Sequence, residues 1–270
     1  MKTPFTLPLI GFGTYKATET DGKDNILRAL EAGYRYLDTA AFYFNEDQIG
    51  QAIKESGIAR EELFIASKVW RTELGYEKTL KSCEGSLKKL GTEYLDLFLV
   101  HWPRADQQLG WEEPLRQTWK AMEQLCEMGK AKAIGVSNFL PHHLEVIKPI
   151  WKIKPVVDQL ELHVGYMQET ACRYCRENGI LLQAWSPLGR GRVMNEPAIT
   201  EMAAKYKVSP AKLLLQFLVQ QNISVIPKAS SIERMKENLD ISSFEIAEND
   251  MYFLSCLPQL GWSGEHPDFV

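Results

Sequence analysis

Short apolar segments alternate with longer amphipathic segments along the chain, and this alternation restricts the fold more than any other feature. Segments that are apolar on both faces are typical of strands in a parallel sheet covered by helices. Strands are predicted at residues 10–13, 36–38, 63–67, 95–100, 131–136, 156–160, 180–184 and 223–226. Apolar residues at helical spacing predict helices at residues 23–32, 45–56, 76–90, 114–128, 141–151, 169–178, 198–206, 210–221 and 231–239.

Eight strand–helix units in 270 residues predict a closed (β/α)8 TIM barrel that forms one domain over residues 1–270. A doubly wound open sheet is the alternative. It is less favoured because no G-x-G-x-x-G lies between a strand and a helix. The tail after Asn249 is rich in Trp, Pro and Gly. We expect this tail to be irregular and to fold over one end of the barrel.

Composition excludes several classes of partner. The net charge of −4 provides no basic field for nucleic acid. No stretch approaches the roughly 20 apolar residues that span a bilayer. Five cysteines, an odd number, argue against a secreted disulfide framework, and the single Cys172-x-x-Cys175 lacks a second half for a zinc site. We therefore expect a cytoplasmic protein with reduced thiols, no metal, no nucleic-acid or membrane partner, and a monomeric state.

Four titratable side chains fall at or just after the ends of consecutive predicted strands. Asp38 ends the second strand and Tyr43 lies in the loop behind it, while Lys68 follows the third strand and His101 the fourth. Each alone has an ordinary structural explanation, such as a helix cap for Asp38 or a surface position for Lys68. Because the carboxyl ends of barrel strands form the active-site face, the four together predict a site.

These residue types favour one kind of chemistry. A phenol is a weak acid with a pKa of about 10, and an ammonium group beside it lowers that pKa. We expect Lys68 to supply this charge and Asp38 to hold Lys68 in place, while His101 orients a carbonyl oxygen by hydrogen bonding. Tyr43 is then a proton donor to a developing alkoxide. No side chain can give the hydride, so a nicotinamide cofactor is its natural source.

Over nearly its full length the chain resembles the aldo-keto reductases. The resemblance rests on six segments in order: Gly33-Tyr-Arg-Tyr-Leu-Asp-Thr-Ala-Ala-Phe-Tyr-Phe-Asn-Glu46, Ser67-Lys-Val-Trp70, His101-Trp-Pro103, Gly135-Val-Ser-Asn-Phe139, Ala184-Trp-Ser-Pro-Leu-Gly189, and Ile226-Pro-Lys228 with Arg234. It implies a TIM barrel without metal that reduces an aldehyde or ketone with NADPH. Tyr43 would be the general acid, assisted by Lys68 and Asp38, with His101 orienting the carbonyl.

The same resemblance implies a cofactor site and a substrate pocket. The carboxamide of the nicotinamide would contact Ser137, Asn138 and Gln159, and Trp185 would stack on the nicotinamide ring. The remaining cofactor residues would be Gly13, Thr14, Asp38, Ser186, Leu188, Gly189, Lys228, Ser230, Ser231, Arg234 and Asn238, of which Lys228, Ser230, Ser231 and Arg234 would hold the 2′-phosphate. The pocket would be lined by Tyr15, Phe42, Trp70, His101 and Trp102, with Trp262 as a further candidate.

Some positions depart from the family pattern, and two other functions stay open. Asp158 stands where asparagine is usual, and Ala229 replaces a serine frequent in the phosphate pocket. One alternative function is a cofactor-binding regulatory subunit without useful turnover, against which the complete set of four catalytic residues argues. The other alternative is a metal-dependent hydrolase. It would need a His-x-His pair or a carboxylate cluster at the strand ends, and the five histidines offer no such pair.

Overall fold

One eight-stranded parallel sheet organises the molecule, seen in a computed structural model that describes residues 5–105 and 110–269. The strands pair in chain order. Their bounds are β1 Phe12–Gly13, β2 Tyr36–Asp38, β3 Phe64–Val69, β4 Leu95–Val100, β5 Ala131–Ser137, β6 Val157–Glu161, β7 Leu181–Trp185 and β8 Ile223–Val225.

Helices follow the strands on the outside of the sheet. Their bounds are α1 Lys23–Ala32, α2 Glu46–Ser56, α3 Tyr76–Leu90, α4 Glu112–Glu127, α5 Pro141–Ile147, α6 Glu169–Glu177, α7 Pro197–Tyr206, α8 Pro210–Val219, α9 Ile232–Leu239 and α10 Glu248–Ser255. No helix among the described residues is long and apolar enough to span a membrane.

The sheet closes on itself where β8 meets the segment before β1. Val225 N donates to Leu9 O at 2.9 Å, and Gly11 N donates to Val225 O at the same distance. Gly13 N then donates to Pro227 O at 3.0 Å. A Cβ on Gly13 would lie 2.6 Å from the Ile226 carbonyl oxygen, so only glycine allows this approach. The predicted (β/α)8 barrel is confirmed, and the open-sheet alternative is wrong.

Apolar side chains form two layers, one on each face of the sheet. The larger lies between strands and helices and contains Trp119, Phe98 and Phe217, all fully buried. The smaller fills the barrel interior and consists of Tyr36 together with aliphatic side chains such as Leu97 and Val157. Side chains of successive strand residues point alternately to these two layers, which explains why the strands read as continuously apolar.

Two helical predictions need correction. Helix α5 ends at Ile147, four residues before the predicted end at Trp151. The chain turns there, and Glu123 Oε1 accepts from the backbone N–H groups of Lys152 and Ile153 at 2.5 and 2.8 Å. The tail after Asn249 was expected to be irregular, but residues 248–255 form α10.

Beyond α10 the tail crosses the carboxyl end of the barrel. Leu260 N donates to Gly165 O at 3.2 Å, and Ser263 Oγ donates to Glu161 Oε2 at 2.7 Å. Near the chain end, His143 Nε2 lies 2.9 Å from Asp268 Oδ1. These bonds hold the tail over the face at which the strands end.

Asp158 is a buried acid on β6 with weak partners. It is inaccessible to solvent, and its oxygens accept from Phe139 N at 3.5 Å and from the Cys175 thiol at 3.7 Å. Burial raises the pKa of Asp158 to about 8. The side chain is therefore mostly protonated at neutral pH and presents the hydrogen-bonding groups of a neutral carboxylic acid, close to those of asparagine.

We expect Asp158→Asn to stabilise the protein at pH 7 and above. Between the unfolded pKa of 3.8 and the folded pKa of about 8, the unfolded chain loses this proton and the folded chain keeps it, so wild-type stability falls as pH rises. At pH 7 the resulting loss of folding free energy, relative to low pH, corresponds to about three pKa units, or on the order of 4 kcal/mol. Urea unfolding from pH 4 to pH 9 measures it.

The control for this series is Asp47→Asn, which removes a carboxylate from the exposed side of α2. Its stability should follow that of the wild type at every pH. Parallel stability curves for wild type and Asp158→Asn would contradict the assignment of a protonated Asp158.

Candidate active site

The four catalytic candidates meet at the carboxyl end of β2, β3 and β4. Asp38 is the last residue of β2, Lys68 lies one residue before the end of β3, and His101 directly follows β4. Lys68 was predicted to follow its strand and instead belongs to it, because β3 extends to Val69 to pair with β4. Tyr43 ends a short 3-10 turn, residues 41–43, that precedes α2.

Lys68 and Asp38 form a fully buried ion pair. Lys68 Nζ donates to Asp38 Oδ1 at 2.5 Å and to Thr39 O at 2.9 Å, and the two residues are 0% and 1% exposed. The second carboxylate oxygen of Asp38 accepts from Gln159 Nε2 at 2.7 Å. Such a pair persists in a protein interior when further hydrogen bonds satisfy both charges, as they do here.

Tyr43 lies next to this pair and to His101. Lys68 Nζ is 5.1 Å from the centre of the Tyr43 ring, and the Tyr43 and His101 rings are 5.6 Å apart. The pKa of Tyr43 lies well above its ordinary value, because of burial first and the Asp38 charge second. The net shift is therefore upward and not downward as expected, because burial and the Asp38 charge outweigh the Lys68 ammonium. Tyr43 therefore keeps its proton at neutral pH.

His101 is neutral at the same pH. Burial, and then the charge of Lys68, hold the pKa of His101 well below 6.5. Its backbone oxygen accepts from Asn138 Nδ2 at 3.0 Å, whereas its buried Nδ1 has no hydrogen-bond partner among residues 5–105 and 110–269. A neutral imidazole has one N–H and one lone pair, so it can take part in hydrogen bonding without carrying charge.

A cavity of about 970 Å³ opens above these residues. Asp38, Tyr43 and His101 line it, whereas Lys68 lies behind Asp38. The cavity is also lined by most of the other predicted site residues: Gly13, Thr14, Tyr15, Phe42, Trp70, Trp102, Asn138, Gln159, Trp185, Ser186, Leu188, Lys228, Ser230, Arg234 and Asn238. Ser137, Gly189 and Ser231 are outside this lining and contact residues that belong to it.

Aromatic rings form one wall of the cavity. Phe42 and Trp70 stack with their centres 3.7 Å apart and their planes 10° apart. Trp70 meets the His101 ring edge-on at 5.1 Å, and Tyr15 lies 5.0 Å from Tyr43. This wall surrounds the phenol and the imidazole, so it marks the end of the cavity at which a substrate carbonyl would sit.

The predicted carboxamide-binding side chains already have protein partners. Trp185 Nε1 donates to Asn138 Oδ1 at 2.7 Å, and Asn138 Nδ2 lies 3.2 Å from Ser137 Oγ. Gln159 Nε2 reaches Gln183 Oε1 at 2.7 Å in addition to Asp38. These bonds fix the orientation of the amides and of the Trp185 ring, so a bound carboxamide would share them.

Backbone strain is concentrated around the cavity. Lys16, Asn138, Ser186 and Arg190 line it with φ angles of 55°, 62°, 48° and 54°. Left-handed backbone of this kind is unfavourable for residues with a Cβ, and it persists where the surroundings enforce it, often at functional sites. The loops that follow β1, β5 and β7 are thereby held in fixed shapes at the cavity rim.

The opposite end of the cavity is basic. Lys228 and Arg234 line it, and neither forms an ion pair within the described part of the chain. Ser231 caps the N-terminus of α9, where its Oγ accepts from Arg234 N at 3.4 Å. Free cationic side chains beside a helix N-terminus are suited to a phosphate group.

The residues present fit a nucleotide cofactor of the expected kind. Thr14 Oγ1 and His101 Nδ1 are buried at the cavity without a partner among the described residues. Unpaired buried polar atoms are costly unless a ligand satisfies them. Together with the basic end, they match a ligand that is polar along its length and anionic at one end.

Sequence reasoning missed five charged residues of the cavity: Lys16, Arg71, Arg190, Glu237 and Glu265. Arg190, in the loop after β7, pairs with Glu265 of the tail at 2.8 Å. No local sequence pattern indicates that residues so far apart in the chain are in contact. Trp262, the pocket candidate of the tail, does not line the cavity and stacks on Tyr166 at 6.0 Å.

No His-x-His pair was expected among the five histidines, and the structure places Asp268 of the tail beside the adjacent His142 and His143. Their ligand atoms lie within 4.8 Å of one another. Leu140 N donates to His143 Nδ1 at 3.0 Å, so the proton of this imidazole is on Nε2 and points to Asp268 Oδ1. A proton on Nε2 occupies the position that a metal would need, and the cluster is therefore a hydrogen-bonded anchor for the tail.

Comparison with known proteins places this site in a family. A model of the Aldo/keto reductase family matches residues 9–254. The glyoxal reductase of Bacillus subtilis is 42% identical over 263 residues, which cover 97% of this chain and 93% of that protein. The aldehyde reductase YPR1 of Saccharomyces cerevisiae is 34% identical over 285 residues, covering 96% and 90%.

Solved structures of proteins from the same family are similar to this chain. An aldo-keto reductase from a deep-sea metagenome library superimposes with a TM-score of 0.91 at 38% identity, covering 98% of this chain and 97% of that one. The aldo/keto reductase of Brucella melitensis gives a TM-score of 0.86 at 37% identity, covering 92% and 94%.

We expect Lys68→Met to destabilise the fold. The substitution leaves the Asp38 carboxylate buried without its cation, which typically costs about 3–5 kcal/mol. The double variant Asp38→Asn with Lys68→Met removes both charges and should recover part of this loss. Urea unfolding at pH 7 gives the free energies of unfolding of both variants.

The matched control is Lys130→Met before β5, whose partly exposed side chain lies 3.6 Å from the exposed carboxylate of Glu93. A solvent-exposed pair of this kind contributes at most about 1 kcal/mol. A loss of stability in Lys68→Met as small as that in Lys130→Met would show that the buried pair does not stabilise the barrel.

Proposed function

The chain belongs to the aldo/keto reductase family, and from that premise we propose that it reduces aldehydes or ketones with NADPH, using Tyr43 as the proton donor. Carbonyl reduction follows from family membership. The observation that carries the role of Tyr43 is its position, protonated, between neutral His101 and the buried Lys68–Asp38 pair at one end of the cavity. No observation favours a regulatory role without turnover.

The reaction divides the work among these side chains. When bound, the nicotinamide supplies the hydride to the carbonyl carbon. His101 orients the carbonyl oxygen by hydrogen bonding, and Tyr43 transfers its phenolic proton to that oxygen to give the alcohol. The phenolate that remains is stabilised by the Lys68 ammonium, 5.1 Å from the ring centre, until it takes a proton from solvent.

The cofactor residues follow the length of the cavity. Ser137, Asn138 and Gln159 would hold the carboxamide, and Trp185 would stack on the nicotinamide ring. Ser186, Leu188 and Gly189 would lie along the pyrophosphate, with Gly13, Thr14 and Asp38 beside the nicotinamide half. Lys228, Ser230, Ser231 and Arg234 would bind the 2′-phosphate, and Asn238 would lie near the adenine. The free charges of Lys228 and Arg234 support NADPH over NADH.

We further infer one domain and a monomeric, cytoplasmic protein. One closed sheet includes all eight strands, so no second core is needed. Each of the five cysteines is free of disulfides, as expected in a reducing compartment. Measuring the sedimentation of the protein at micromolar concentration tests whether it is a monomer.

Tyr43→Phe should remove most of the turnover and leave NADPH affinity nearly unchanged. A positioned general acid is worth roughly a hundred- to ten-thousand-fold in rate. Single-turnover reduction of a reactive aldehyde gives the rate of the chemical step, and fluorescence titration gives cofactor affinity. Tyr15→Phe, on the neighbouring ring of the cavity wall, is the control. A Tyr43→Phe rate within a fewfold of wild type would exclude this phenol as the acid.

Arg234→Ala should weaken NADPH binding and spare NADH, because only NADPH carries the 2′-phosphate. A charge-assisted hydrogen bond contributes about 1.5–3 kcal/mol, or roughly tenfold to a hundredfold in affinity. Titration of both cofactors against wild type and variant measures this. Arg173→Ala, exposed on α6, should change neither affinity. Equal losses for NADPH and NADH in Arg234→Ala would refute a role in reading the phosphate.

A further inference from the structure

Arg71 lies at the substrate end of the cavity. It directly follows Trp70 after β3 and begins a short 3-10 turn, residues 71–73. Its Cζ is 5.5 Å from the Trp70 ring centre, and that ring meets His101 at 5.1 Å. The guanidinium is therefore within about 11 Å of the imidazole that orients the carbonyl.

Arg71 differs from the charged side chains of Glu265 and Asp38 at this end because no acidic partner lies beside it in the described part of the chain. Glu265 is paired with Arg190 at 2.8 Å, and Asp38 with Lys68 at 2.5 Å. Within residues 5–105 and 110–269, Arg71 makes no ion pair and no side-chain hydrogen bond, although it is partly buried. The substrate end of the cavity thus carries an uncompensated positive charge in a protein whose net charge is −4.

A guanidinium held in this way matches a particular ligand group. Its planar set of N–H donors fits a carboxylate in two parallel hydrogen bonds. Partial burial strengthens such a contact, because water competes less for the donors. The neighbouring Phe42–Trp70 stack offers an apolar surface for the part of the substrate between the carbonyl and the anion.

We propose that Arg71 selects carbonyl substrates that carry a carboxylate remote from the reacting carbon. This inference rests on the proposed function and adds the substrate class to it. His101 and Tyr43 receive the carbonyl oxygen, Phe42 and Trp70 line the middle of the substrate, and Arg71 binds the carboxylate. Arg71 is a specificity-determining residue and takes no part in proton transfer.

A pair of matched aldehydes tests the proposal. In 4-carboxybenzaldehyde the two groups stand at opposite ends of one ring, and 4-nitrobenzaldehyde has nearly the same shape without the charge. The quantity measured is the ratio of kcat/KM for the two aldehydes with NADPH. Arg71→Gln should lower this ratio about tenfold or more, mainly through KM for the carboxylate. Arg71→Lys keeps the charge and should retain part of the preference.

The control variant is Arg173→Gln, which removes the same charge from the exposed face of α6 and should leave the ratio unchanged. Raising the salt concentration should lower the wild-type ratio and have little effect on that of Arg71→Gln. A wild-type ratio that Arg71→Gln does not change would overturn the role of Arg71 while leaving carbonyl reduction intact. Failure of the wild type to reduce either aldehyde would refute the proposed function, and the substrate class with it.

Discussion

The buried ion pair between Lys68 and Asp38 connects the fold to the site. It links β3 to β2, and Gln159 extends it to β6 through the second oxygen of Asp38. From Gln159 the hydrogen bonds continue to Gln183 on β7, to Ser224 on β8 and to the backbone of Pro8 before β1. Polar groups inside a barrel are costly unless each is satisfied. The strands must therefore keep their register for the network to exist.

This interior environment sets the protonation states on which the chemistry depends. Burial raises the pKa of Tyr43 and lowers that of His101, so both side chains are neutral at physiological pH. A neutral phenol still has its proton to give, and a neutral imidazole does not repel the Lys68 ammonium. In the proposed reaction the lysine contributes mainly after proton transfer, when the phenolate of Tyr43 appears beside it. In the proposed reaction, Tyr43 thus starts as a protonated phenol that can donate its proton, and not as a phenolate.

The tail completes the cavity rim by tertiary contacts alone. Glu265 reaches Arg190 of the loop after β7, and Asp268 reaches His143 at the start of α5. The first contact fixes the loop after β7 and neutralises the charge of Arg190 at the cavity, and the second fixes the start of α5. Among residues 5–105 and 110–269, Arg71 has no acidic partner, so its positive charge at that end of the cavity stays uncompensated.

Strand and helix order, the barrel and the positions of Tyr43, Asp38 and His101 could be predicted from the sequence. Apolar periodicity is a local property, and consecutive strands of a parallel barrel bring their carboxyl ends together wherever the periodicity is right. The raised pKa of Tyr43, the protonated Asp158, and the tail contacts of Glu265 and Asp268 could not be predicted. Each depends on burial, or on charges and partners far away in the chain, and these distances exist only once the sheet has closed and the tail has packed across it.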